Sequence, residues 1–243
     1  YSPQIVFTGT PSTPAAPSPI ATKEKRKLVA QYYAYSFWRA NNGASGLANG
    51  GQYGGSQSGM IATSALQDTN ERLQPQRLAL LVRAANSHRD HQERELATGA
   101  RWRPSPKLPV TITAERRFRN ARPDAFAVYA AGGVSEVPLP VKFRMDVFGQ
   151  AGAVSGEGGG PFFDGIARAD RKIAATPNVA VHAGGGIWAG GQRDVVRVDV
   201  GPSLRTDIAV RKVNFRLTAD WRFRVAGDAN PGNGPAITLS TSF

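Results

Sequence analysis

The sequence predicts an all-β fold: a closed antiparallel transmembrane β-barrel of about twelve strands with an extended N-terminal tail. Three observations predict it. Apolar residues recur at every second position, most clearly in 213–227, VNFRLTADWRFRVAG, where Val213, Phe215, Leu217, Ala219, Trp221, Phe223 and Val225 alternate with Asn214, Arg216, Thr218, Asp220, Arg222 and Arg224. A period of two puts these sets on opposite faces of a strand, one apolar and one charged. Charges keep to one parity in strand after strand, and the segments are separated by turns rich in Gly and Pro. A single such strand suits a soluble sandwich as well as a membrane barrel. The whole chain favours the barrel, because Arg or Lys facing lipid at mid-depth costs roughly 2–4 kcal/mol and must point inward.

Composition bounds the choice. The 243 residues are 41% hydrophobic with 27 Gly and 17 Pro, too apolar for a disordered chain and rich in turn formers. There is no cysteine, which removes disulfides and thiolate metal sites. No apolar run reaches the length of a transmembrane helix, whereas a membrane strand needs only about 9–11 alternating residues. The mean hydropathy of −0.32 is therefore no argument against a membrane. The chain begins at Tyr1 with no basic-then-apolar leader, and is expected to be a mature or trimmed form of an exported protein. A net charge of +12 would ordinarily point to a polyanion partner. Here the basic residues are spread along strands between Phe, Trp, Leu and Val, and the one tight run is Lys23-Glu24-Lys25-Arg26-Lys27, so no nucleic-acid partner is expected.

Residues 1–27 open with a Pro-, Ser-, Thr- and Ala-rich stretch and form an extended periplasmic tail or linker; 28–243 form the barrel. The first strand, 28–39, carries Tyr33, Tyr35 and Trp38, candidates for an interfacial aromatic girdle together with Trp102, Trp221 and Phe223. The segment 58–67 follows the Gly/Asn-rich stretch 41–57. In 76–88, Leu78, Leu80 and Val82 face lipid while Arg77 and Arg83 face the lumen; 94–103 adds Arg101. In 110–120, Val110, Ile112 and Phe118 oppose Glu115, Arg117 and Arg119. Arg116 breaks the parity and is expected at a rim or a bulge. The strand 125–135 turns Phe126, Val128 and Val134 outward. In 141–154, Val141, Phe143, Met145 and Val147 alternate with Lys142, Arg144 and Asp146. The segment 162–174 places Arg168, Asp170 and Lys172 inside, and 179–189 places Val179, Val181 and Ile187 outside. In 195–209, Val196, Val198, Val200, Leu204 and Ile208 oppose Arg197, Asp199, Arg205 and Asp207. The strand 213–226 follows, and 235–243 ends on Phe243, read as a membrane-insertion signal.

The connections fall into two sets. One comprises 68–75, 104–109, 137–140, 176–178 and 210–212; the other includes 40–57, 157–160 and 228–234, which are Gly-rich and in two cases longer. Short turns on one side and longer loops on the other match periplasmic and extracellular ends. An even strand number puts both termini on the periplasmic side.

Three stretches carry a family resemblance: YGGSQSG at 53–59, AERRFRNARPDAFAVYAAGGVSE at 114–136, and DWRFRVAGDANPGNGPAITLSTSF at 220–243. Together they resemble the C-terminal outer-membrane barrel of the bacteriophage adsorption protein A group, related to that of cellulose synthase operon protein C, without the tetratricopeptide repeats those proteins carry. The resemblance implies a barrel that passes a polysaccharide or forms the surface part of a secretion apparatus used by phages.

The expected function is an outer-membrane pore or export conduit for polysaccharide or another anionic or polyhydroxylated solute, lined by Arg77, Arg83, Arg117, Arg144, Arg197, Arg205, Arg216, Arg222 and Arg224, with Asp146, Asp199 and Asp220 as their partners. The alternative is a sealed structural barrel anchoring a periplasmic or surface assembly through residues 1–27. An autotransporter translocator is a third reading, and it conflicts with the Pro content of 1–22, which opposes a threading helix. A soluble basic β-domain is a fourth. No enzyme, cofactor or metal is expected. The histidines are His88, His91 and His182; His88-Arg89-Asp90-His91 lies in a predicted outer loop without further ligands. A Ser–His–acid hydrolase of barrel type would need a marked nucleophile, and the sequence marks none. Gly158-Gly159-Gly160 and Gly184-Gly185-Gly186 lack the following helix and Lys-Ser/Thr of a phosphate loop.

Overall fold

Alternation over the predicted segments becomes twelve antiparallel strands joined edge to edge. The computed structural model describes residues 30–40, 55–65, 78–88, 93–120, 122–193, 195–211 and 213–242. The strands are β1 (Ala30–Arg39), β2 (Gln57–Ala65), β3 (Leu78–Ser87), β4 (Arg94–Trp102), β5 (Val110–Arg119), β6 (Ala125–Pro138), β7 (Arg144–Val154), β8 (Gly160–Ala175), β9 (Val179–Gln192), β10 (Val195–Val210), β11 (Val213–Gly227) and β12 (Gly234–Ser242). Each pairs with its sequence neighbours, and β1 pairs with β12 from Tyr33↔Ser242 to Arg39↔Ala236, closing the barrel. Closure leaves no strand edge unpaired, the condition for spanning a bilayer with β-structure.

The burial is inverted relative to a water-soluble domain. Arg83, Arg197, Arg205 and Arg222 are among the most enclosed side chains, while Leu80, Leu96, Phe126, Val128, Ile187 and Leu204 stand on the outside surface. In β11 the alternation makes this explicit: Arg216, Thr218, Asp220 and Arg222 are buried between exposed Leu217, Trp221 and Phe223. A predominantly apolar outer wall of this kind is a surface built for lipid.

Three bulges interrupt the ladders, at Val134/Val137 between β6 and β7, at Lys172/Ala174 between β8 and β9, and at Val198/Asp199 between β10 and β11. The first contains Glu136, whose positive φ of 58° turns its carboxylate toward the lumen rim. The register runs without shift through Arg116, which faces outward near the end of β5. It pairs with Asp124 at 3.0 Å, and its guanidinium lies over Phe118 and Phe126. The rim explanation for this residue holds and the bulge explanation does not.

The predicted seventh strand begins at 144, not 141. Pro138 and Pro140 cannot donate to a ladder, and Pro140–Lys142 form a short 3-10 turn with Val141 and Lys142 at positive φ. Val141 is therefore not a strand position. Tyr33 and Tyr35 stack on one another inside the barrel, Tyr35 being buried, so neither belongs to an outer girdle; Trp38, Trp102, Trp221 and Phe223 do face outward. Among the described residues the connections at the two ends differ little in length, for example 176–178 and 139–143 against 155–159 and 228–233. The longer stretches 41–54 and 66–77, the tail at 1–27, Arg77 and Phe243 lie outside the described residues.

Candidate functional site

Inward parity brings the charged side chains of β1 and β3 to β11 into one enclosed space. Every strand contributes at least one buried inward residue, including Phe37, Ile61, Leu81, Ala97, Glu115, Tyr129, Phe148, Ile166, Trp188, Asp199, Arg222 and Ser240. The lumen is filled at mid-height by side chains rather than lined around an open bore, as the long arginines of a barrel this size permit.

The largest cluster centres on Arg205. Its guanidinium lies 2.9 Å from Asp146, 3.2 Å from Asp170, and 3.5 Å from both Glu136 and Asp207. The Arg205–Asp146 pair crosses from β10 to β7, passing over β9 and β8. His182 stands 2.9 Å from Arg205 through Nδ1 and 3.2 Å from Asp170. Arg216 donates from Nε to Asp207 at 2.7 Å. Arg144 holds Glu136 at 2.6 Å from the rim, where its side chain is 59% exposed.

Above this cluster, Arg168 donates both to Ser203 at 2.8 Å and to the two Asp220 oxygens at 3.2 Å, and the Ser203 hydroxyl donates to Asp220 at 2.7 Å. Arg222 reaches Asp220 at 3.3 Å and lies over Trp188, 4.5 Å from its centroid, and over Phe37 at 5.1 Å. Gly186 makes room for this stack: a Cβ there would meet the Trp188 ring at 2.7 Å. At the next level Asp199 is held by Arg197 at 2.8 Å and by Arg39 at 3.0 Å, the latter crossing from β10 to β1. Arg197 also donates to the carbonyls of Ala229, Pro231 and Gly232, tying the β11–β12 connection over the lumen mouth. On the opposite wall Glu115 accepts from Arg83 at 2.9 Å and Arg117 at 2.7 Å, and Glu95 also pairs with Arg83.

The sequence-predicted residues fall into this pattern as follows. Arg83, Arg117, Arg197, Arg205, Arg216, Arg222, Asp146, Asp199 and Asp220 all take part in the enclosed network. Arg144 stands at one rim. Arg224 is exposed at the other, beyond the β10–β11 bulge, and donates to the Ala229 carbonyl at 3.2 Å. Each of the buried arginines has a carboxylate within 4.0 Å, so the lining is self-neutralised and not a bare cationic surface. Sequence reasoning missed Arg39, Ser203 and Trp188. Trp188 was legible from its parity with His182; Arg39 ends its strand beside a Gly-rich loop, where no alternation continues to mark its face.

Among the described residues no group of three or more His, Asp or Glu side chains is arranged to hold a metal. Arg205 occupies the centre of the one acidic group that comes near.

No protein-family model and no curated protein matches the sequence, so the resemblance to the bacteriophage adsorption protein A group has no family match behind it. Among solved structures the chain is similar to a bacterial polysaccharide outer membrane secretin, at 9% identity and a TM-score of 0.42 over 90% of this chain and 99% of that one. It is also similar to the β domain of the Bordetella autotransporter Brka, at 11% identity and a TM-score of 0.46 over 88% and 98% of the two chains. LpxR from Salmonella typhimurium aligns at 8% identity and a TM-score of 0.43 over 88% and 99%. At these values the likeness is one of architecture alone.

Proposed function

We propose that this chain is a bacterial outer-membrane barrel, with both termini periplasmic, whose lumen is a closed conduit for anionic or polyhydroxylated solutes, polysaccharide among them. The observation that carries the reading is the inverted burial, with ion-paired arginines inside and leucine, valine and phenylalanine outside. Only lipid removes the cost of that outer wall. A charged and hydroxyl-bearing lining suits passage, because each internal hydrogen bond can be exchanged for one to water or to a solute oxygen. Arg39 Nε and Nη1 and Trp188 Nε1 have no hydrogen-bond partner among the described residues, and such groups favour exchange with a polar solute. The resemblance of 53–59, 114–136 and 220–243 supports polymer export, with residues 1–27 joining the barrel to a periplasmic assembly.

A second reading, a sealed barrel that only anchors such an assembly, is favoured by the ring of buried residues from all twelve strands. Planar-bilayer recording separates the two. The conduit reading expects small, infrequent openings of the native chain and a several-fold larger steady conductance when Arg205 and Arg222 are replaced by Gly. Electrically silent membranes containing folded Arg205→Gly/Arg222→Gly protein would leave the anchor as the function.

A further inference from the structure

The outer wall of β1 to β5 is mostly apolar, with Ser64, Thr98 and Arg116 set in it, and it carries one continuous polar row near the end bearing the 41–54 connection. Cross-strand pairing sets Ser36 opposite Ser58, Ser58 opposite Asn86, and Asn86 opposite Arg94. These are outward positions, on the parity of Trp38 and Met60. Ser58 Oγ lies 2.6 Å from His88 Nε2 and 2.5 Å from Ser36 Oγ. His88 is held in place: its backbone N–H donates to the Ser56 carbonyl at 3.0 Å, and its ring lies against Trp38 with centroids 6.0 Å apart. A hydroxyl and an imidazole at this distance have the geometry of a nucleophile and its base.

A groove begins at Ser58. The row next to the polar one is Met60, Ala84, Leu96 and Phe118, with the small Ala84 between larger neighbours. Together with Ser58 and Arg94 these residues line a groove of about 780 Å³ along the lipid-facing wall. Its lining is mostly apolar along this row, with Glu95, Arg119 and Asp124 at its polar end, and its volume is enough to take a hydrocarbon chain. Arg94, two strands from Ser58 and so about 10 Å away, stands on the polar row opposite Asn86 and lines the groove. A fatty-acyl chain in the groove, an ester at Ser58 and a phosphate at Arg94 form one molecule: a membrane lipid with an anionic headgroup.

We propose that Ser58 and His88 form an acyl-ester hydrolase site on the outer wall, acting on anionic phospholipid from the bilayer; this rests on the reading of that wall as lipid-facing. The Ser58 hydroxyl attacks the ester carbonyl carbon as His88 Nε2 takes its proton. The tetrahedral intermediate collapses with cleavage of the bond to the glycerol oxygen, which leaves with the proton returned by His88. Water, deprotonated by His88, then cleaves the acyl-Ser58 ester, giving a free fatty acid and lysophospholipid. Ser36 and Asn86, flanking Ser58 on the neighbouring strands, supply O–H and N–H donors for the oxyanion.

The test uses the full chain reconstituted in vesicles of phosphatidylglycerol or, separately, phosphatidylcholine, with folding followed by heat-modifiable gel mobility. Hexadecanesulfonyl fluoride should add to Ser58, as read by mass spectrometry. Fatty-acid release from phosphatidylglycerol should fall about 10²–10⁴-fold in Ser58→Ala and His88→Ala, and Arg94→Ala should raise KM for phosphatidylglycerol more than for phosphatidylcholine, whose phosphate is offset by the choline cation. Folded, inserted protein that takes no adduct at Ser58 and releases no fatty acid overturns the site while the membrane reading stands. Protein that fails to insert in either lipid overturns both.

Discussion

Leu204 and Arg205 are adjacent in sequence and opposite in environment: Leu204 is 45% exposed on the outer wall and Arg205 is 1% exposed inside. The arginine is enclosed because four carboxylates surround it. Replacing it leaves Asp146 and Asp170 facing one another across the space it filled. Stranding a buried charge in this way costs about 3–5 kcal/mol in general. Arg205→Ala is expected to lower the urea midpoint of the folded barrel by an amount in that range, read from the intensity of tryptophan fluorescence during unfolding. A midpoint within experimental error of the native one would mean that the carboxylates do not depend on Arg205. Much of this network was legible at the level of single residues. Parity alone put Arg83, Arg117, Arg197, Arg216 and Arg222 on the inner face. What parity does not carry is which strands face one another across the lumen, so the cross-lumen pairs Arg39–Asp199 and Arg205–Asp146 emerge only from the closed barrel. The Ser58–His88 contact was hidden for the same reason: Ser58 and His88 belong to different strands' ends, and their meeting is a matter of register.

At the scale of the strand, alternation settled type and extent well, and local backbone chemistry decided the exceptions. The strand ends at 39, 94, 110, 125, 154, 179, 195 and 213 coincide with those read from the sequence. The start of β7 does not, because apolar Val141 fits the pattern while Pro138 and Pro140 deny it a ladder. The same alternation makes a directional prediction. Leu204→Arg in the sixteen-residue β10 puts a guanidinium into lipid and should cost roughly 2–4 kcal/mol, with a matching fall in refolding yield into vesicles. The strand could also fail by backbone crowding. A side chain at Gly201 would collide with the Trp221 carbonyl of β11, so Gly201→Val should reduce the heat-modifiable folded band while Gly232→Ala, in open space on a connection, should not.

The whole molecule is an inside-out protein: its charges are neutralised within the barrel and its apolar surface is left for the membrane. From that sidedness follow both the closed ionic lumen and the lipid-side groove with Ser58 at its head. Of the four tryptophans, Trp38, Trp102 and Trp221 are 42%, 47% and 47% exposed on the outer wall, whereas Trp188 is 2% exposed under Arg222. Single-tryptophan variants, with the other three replaced by Phe, allow each position to report on its surroundings in vesicles of brominated phosphatidylcholine. Strong quenching at Trp221 and little at Trp188 is the predicted result. Equal quenching at the two positions would contradict the assignment of the ion-paired face to the inside.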